Sequence, residues 1–284
     1  MIHAAIPVEA LGAVLIGAAL HAAWNVGIRG GADRRAATVA VLLGAALCGA
    51  IFLPFLAVPA RASWPHLAVS AAFHLLYYYL IAEAYTAGAV SLAYPIMRGT
   101  APALTAAVAA LAFGERLGWH GWIGLLAISA GVILLAQPRG EPGERRAVLF
   151  AFANAAIIAG YTLNDGYGAR LSHAPISYAL WTFVLPAIPS ALILLKFRLG
   201  RLFRLGPKAL ILRGLGGGAC SVTSYALALW AMTQTTIGSI AALRETALLF
   251  GVLFAWWFLG ENPGRRGLLA IGIVACGAAV IQLG

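Results

Sequence analysis

The sequence predicts an all-α integral membrane protein, with ten transmembrane helices arranged as two inverted five-helix repeats around a central cavity. Three observations predict it. The chain of 284 residues is 62% hydrophobic and only 10% charged, too little charge to coat a soluble surface. Its apolar residues arrive in blocks of about 17–25, the length that crosses a hydrocarbon core as helix. Backbone groups in lipid must be satisfied within a segment, so such blocks are helices, and the ten-residue alternation of an outer-membrane barrel is absent. Finally, the second half of the chain repeats the first.

The first five spans are expected at Val8–Ile28, Ala36–Val58, His66–Tyr85, Ala89–Phe113 and Gly121–Ala136, and the second five at Ala147–Leu171, Ile176–Leu195, Ala209–Thr233, Ile237–Leu259 and Gly267–Leu283. No basic n-region precedes the first block, so it is expected to be a true span, not a cleaved leader. The polar stretch 138–146 divides a first repeat, 1–137, from a second, 147–284. A shift of 146 residues places Glu115 on Glu261, Arg98 on Arg244, Thr100-Ala101 on Thr246-Ala247, Tyr79 on Tyr225, Gly121 on Gly267 and Gly131 on Gly277. Five spans is an odd number, so the second repeat enters the membrane in the opposite sense. Inverted repeats are the architecture of secondary transporters, whose sites lie near mid-membrane between the halves.

The formal charge of +10 sits mostly between apolar blocks, where arginines set topology and meet anionic lipid, so the partner is the bilayer and not nucleic acid. Cys48, Cys220 and Cys276 lie inside apolar blocks without CxxC spacing and are expected to be core residues, with no metal site or cofactor implied. No GxxxxGK[ST] segment occurs, which excludes direct nucleotide drive within this chain. A multipass enzyme would need clustered acids and histidines at one membrane face; the six histidines are scattered and lack HxxxH or HExxH spacing.

Two halves of five spans, the Gly-Glu115 and Gly-Glu261 pairs closing the fourth and ninth spans, and Trp24-Asn25 in the first resemble the drug/metabolite transporter superfamily, EamA type. The resemblance covers essentially the whole chain and is specific for fold rather than substrate. It implies a ten-helix basket whose cavity is lined by the first, third, fourth, sixth, eighth and ninth spans, in the inner membrane of a bacterium. The fifth and tenth spans would pack peripherally through glycines 121, 124, 131, 267, 272 and 277. It also implies both termini inside. Loop charges point the other way: with the N-terminus inside, three basic residues would face in and thirteen out, and the positive-inside rule then prefers both termini outside.

Arg98 and Arg244 lie deep in their spans, where each costs roughly 2.5–3.5 kcal/mol unless it faces a bundle interior or watery cavity. They are expected to bind a carboxylate or phosphate-like group, or else to be held by Glu245 or Glu83. Glu245, the deepest acid, and Asp165 are candidates for proton coupling; Glu245 is alternatively a counter-ion, and Asp165 a partner of Arg170 at the interface. His21, Trp24 and Asn25 share one helix face by spacing, as do His74 and Tyr78 on the third span. Tyr94 and Arg98 form a stripe on the fourth, and Tyr161 and Tyr225 supply polarity in the second half. Aromatic walls with few polar groups suit a small-molecule site; they also suit amines through cation–π contact with Glu245 nearby. Glu115 and Glu261 are expected to cap the helices that follow them. The function expected is alternating-access transport of a small polar metabolite such as an amino acid or other carboxylate, with organic cations as the alternative. Two internal halves make a monomer sufficient.

Overall fold

The computed structural model describes residues 6–29, 34–196, 210–260 and 262–283. They form ten spans: α1 Val8–Arg29, α2 Arg34–Phe52, α3 Trp64–Ala87, α4 Val90–Phe113, α5 Trp119–Ile133, α6 Glu144–Ser172, α7 Pro175–Lys196, α8 Gly217–Gln234, α9 Ile237–Leu259 and α10 Gly264–Leu283. Six of these, α1, α3, α4, α6, α9 and α10, are long and apolar enough to cross a membrane by themselves. The second, fifth and eighth are shorter than the apolar blocks suggest. Pro54 helps end α2, which passes into a 3-10 turn at Leu53–Phe55. A π-helical segment, Leu210–Gly216, leads into α8, whose Ser221, Thr223, Ser224 and Tyr225 dilute its apolar run.

The packing shows the internal two-fold. Helix α1 packs on α8 as α3 does on α6; α4 packs on α6 as α9 does on α1; α2 packs on α8 as α7 does on α3. Exchanging the halves maps each contact onto its counterpart, while α2 meets α7 and α5 meets α10 across the axis. The α5–α10 seam is as close as small residues allow. A Cβ on Gly124 would lie 2.5 Å from the carbonyl of Gly277, and one on Gly277 would lie 2.7 Å from that of Gly124. Gly131 meets Val274 in the same seam. Gly272 has nothing within 4 Å, Gly121 touches only its own Leu117, and Gly267 only Pro263, so these three are not part of the contact.

Local chemistry sets the interruptions that position the site. Pro95 and Pro102 lie inside α4, and a proline leaves the carbonyl four residues earlier without its helical donor. Ser91, the residue four before Pro95, instead accepts from the Gln137 amide at 3.2 Å, which ties the start of α4 to the end of α5. Helix α9 is built from Ile237–Leu243, a 3-10 turn at Arg244–Thr246, and Ala247–Leu259. The break therefore falls on Arg244 and Glu245. Both α4 and α9 end at a glycine in the left-handed region, Gly114 with φ 64° and Gly260 with φ 67°, where a side chain would be strained. That is the structural reason for a glycine at each of the two positions.

With ten antiparallel spans, the turns divide between two faces. Ile6 and Gln282 meet on one, where the Gln282 side chain donates to the Ile6 carbonyl at 3.3 Å; we call it the terminal face. Loops holding Arg139, Arg145, Arg146, Arg265 and Arg266 lie on the opposite face. The linker curls over the start of α6, with Glu144 accepting from the amides of Arg139 (2.6 Å) and Gly140 (3.1 Å). Arg146 pairs with Glu83 at 3.2 Å, so Glu83 holds a loop cation and neither of the intramembrane arginines.

Candidate functional site

Arg98 lies roughly 12 Å along α4 from its start and Arg244 roughly 10 Å along α9, at 1.5 Å per residue. Helices α4 and α9 run in opposite senses, so both arginines reach the middle of the bundle. There the Arg98 Nη2 meets Glu245 Oε1 at 2.7 Å, and its Nε donates to Oε2 at 3.2 Å. Both carboxylate oxygens are thus engaged by one guanidinium, a geometry with more strength and direction than a single contact. The pair is nearly sealed, with side chains 13% and 9% exposed.

Arg244 has a different environment. Its guanidinium sits over the Tyr225 ring, 5.1 Å from the centroid, and among the described residues it has no carboxylate partner. Two cations and one anion therefore meet at mid-membrane, and among the described residues the salt bridge is made by Arg98 and not by Arg244.

Above this floor lies a cavity of about 170 Å3, walled by His21 and Asn25 of α1, Tyr94 and Arg98 of α4, and Glu245 of α9. It ends at Asn262 and Pro263 in the α9–α10 turn, so it opens toward the arginine-rich face. The Asn25 side chain donates to the His21 carbonyl at 2.8 Å, and Trp24 meets the His21 ring edge-on at 5.3 Å. The indole N–H of Trp24 is buried without a partner.

Beside the floor, His74 stacks on Tyr161 at 4.8 Å and meets Tyr225 edge-on at 6.4 Å. Tyr225 donates to Asp165 at 2.7 Å. Asp165 is fully buried and accepts three further bonds, from Ser70 (3.0 Å), Asn164 (3.0 Å) and Tyr178 (3.3 Å). The expected interfacial pair of Asp165 with Arg170 is therefore absent: the acid points inward to neutral donors. Arg170 instead meets Glu115 Oε1 at 2.8 Å and donates to the carbonyls of Met232 (2.9 Å) and Thr235 (2.7 Å). Glu115 does cap a helix, but not the one that follows it. Its other oxygen accepts from the amide of Ile237, the first residue of α9, at 2.8 Å. Glu261 lies outside the described residues, as does the side chain of Tyr78.

The candidates thus fall into two connected groups: His21, Asn25, Tyr94, Arg98 and Glu245 around the cavity, and His74, Tyr161, Tyr225, Arg244 and Asp165 beneath it. Trp24 joins the first only through His21. Ser70, Asn164 and Tyr178 were not among the candidate residues. Ser70 was within reach of sequence reasoning, since it lies four residues before His74 on the same helix face; Tyr178 sits in an otherwise ordinary first turn of α7 and carried no signal.

A ten-helix bundle with an internal two-fold and an ionised, aromatic mid-membrane cavity defines a membrane transporter of small molecules. The model of the EamA-like transporter family matches residues 9–137 and 145–283, and the chain belongs to that family, within the drug/metabolite transporters. A solved crystal structure, described only as that of a protein, is similar over 97% of this chain and 96% of its own at 19% identity, with a TM-score of 0.72; the likeness is one of fold. No curated protein matches the chain.

Proposed function

We propose that the protein is a secondary transporter that carries a small carboxylate or zwitterion, such as an amino acid, by alternating access, with Arg244 as the anion-binding group. The single observation that supports this is the contrast between the arginines. Arg98 is matched to Glu245 on both oxygens, whereas Arg244 rests on Tyr225 and makes no salt bridge. A half-buried guanidinium that makes no salt bridge is complementary to a carboxylate, and Tyr161 and Tyr225 offer rings to an apolar or cationic remainder. His21, Asn25, Tyr94 and Arg98 would line the way in, and His74 would hold the Tyr161 wall in place. The halves 1–137 and 147–284 would rock about the linker 138–146 as a monomer in a bacterial inner membrane. Amines are the weaker alternative, because Glu245 is occupied by Arg98.

If transport is proton-coupled, Asp165 is the better carrier than Glu245, because only neutral donors reach it. In proteoliposomes, Asp165→Asn is then expected to abolish uptake driven by a pH gradient and to leave counterflow exchange intact.

The direct test is a thermal-shift screen in detergent against amino acids, organic acids, phosphonates and amines, because a ligand stabilises the state it binds by mass action. Carboxylates or zwitterions are expected to stabilise the wild type and Arg244→Lys, and to lose at least tenfold in apparent affinity in Arg244→Ala, about 1.4 kcal/mol or more. Stabilisation by amines alone, unaffected by Arg244→Ala, would reject the anion site.

A further inference from the structure

We propose that Glu115 and Arg170 form the gate on the terminal face, and that their bond sets which side of the membrane the cavity faces; this rests on the alternating-access mechanism above. The two residues come from different halves. Glu115 follows the left-handed Gly114 at the end of α4, and that turn carries its carboxylate across to the second repeat. There it meets the Arg170 guanidinium at 2.8 Å and the Ile237 amide at 2.8 Å. Arg170 completes the clasp by donating to the carbonyls of Met232 and Thr235 at the end of α8. The carboxylate thus joins α4 to α6 and α9, and the guanidinium extends the clasp to the end of α8. The Glu115 side chain is only 8% exposed, so the bond is shielded from the screening that weakens surface pairs.

Directly beneath the clasp, the Ile237 side chain is fully buried and fills the space over Gly166, where a Cβ would stand 2.9 Å from it. The terminal face is therefore shut by an apolar plug held under an ion pair, while the cavity opens at Asn262 and Pro263 on the other face. To open the terminal side, α4 must leave α9 at Ala106 and Gly238, where a Cβ on the glycine would lie 3.0 Å from the alanine, and that separation breaks Glu115 from Ile237 and Arg170. No bond of the clasp involves the proposed substrate site, so the gate biases the conformational equilibrium without touching substrate.

The test uses two reporter cysteines in a background with Cys48, Cys220 and Cys276 replaced by serine. Thr105→Cys lies on the Arg98 face of α4, below the clasp, and is 1% exposed in the native chain; Asn25→Cys lines the open cavity. Maleimide labelling is followed in detergent, where both faces meet reagent. Glu115→Gln, which keeps the shape and the cap on Ile237 but loses the ion pair, is expected to raise labelling at position 105 about tenfold and to lower it at position 25. Arg170→Lys, which keeps the charge but loses the two carbonyl bonds, is expected to shift both reporters the same way, to a smaller degree. Unchanged labelling at both positions, or a rise at both from general loosening, would overturn the gate. Neither result would bear on ligand stabilisation through Arg244, so the two proposals fail separately.

Discussion

Arg98 and Arg244 occupy the same register position in the two repeats, but the residues that follow them differ: Gly99 after the first, Glu245 after the second. That single difference decides which arginine is neutralised, and the acid of the second repeat serves the arginine of the first. Removing one partner of a sheltered pair leaves an unmatched charge, at a cost of about 3–5 kcal/mol, whereas removing both costs much less. Arg98→Met is therefore expected to lower the unfolding temperature in detergent more than the double substitution Arg98→Met with Glu245→Leu. Equal losses would mean that the pair contributes nothing beyond packing. At Asp165, Tyr225→Phe deletes the shortest of four bonds yet keeps the ring under Arg244, so it should cost about 1.5–3 kcal/mol while ligand stabilisation survives. The charged candidates were legible in the sequence because charge is costly inside an apolar block. Their partners were legible only in part. Glu245 was expected as a counter-ion, but which arginine it meets was not, and Glu115 with Arg170 was not foreseen. Both pairs are separated by more than fifty residues and form only where the helices cross.

Span positions were legible from block length and the repeat from its common register. What periodicity does not encode is where a helix breaks. Nothing in the apolar pattern marks the 3-10 turn at Arg244–Thr246, although it places the two ionised residues at the site. Nor does a glycine reveal whether it faces a neighbour, as the α5–α10 seam shows. Gly277→Leu is expected to destabilise by about 1–3 kcal/mol through overpacking, because its side chain must enter the space held by the Gly124 carbonyl. Gly272→Leu, five residues earlier on the same helix, faces open space and should leave the unfolding temperature unchanged. The two variants side by side read out which stripe of α10 is buried.

For the molecule as a whole, the fold was readable in full outline, ten helices in two related sets, because membrane solvent leaves the backbone few choices. The sense of insertion was not. Loop arginines concentrate on the face away from the termini, which predicts that this face is cytoplasmic and that both termini lie outside. A C-terminal alkaline phosphatase fusion is then expected to be active and a green fluorescent protein fusion dark. The reverse pattern would place the open cavity on the exterior.

The unequal treatment of Arg98 and Arg244 has a thermodynamic consequence. In a transporter made of two identical inverted halves, the inward-facing and outward-facing states would be related by symmetry and equal in free energy, and the empty protein would divide its time evenly between them. An acid present in one half alone removes that degeneracy. Divergence after duplication therefore does more than shape a binding pocket: it gives the unloaded machine a resting direction, and substitutions that restore the likeness of the halves should return the two populations toward parity.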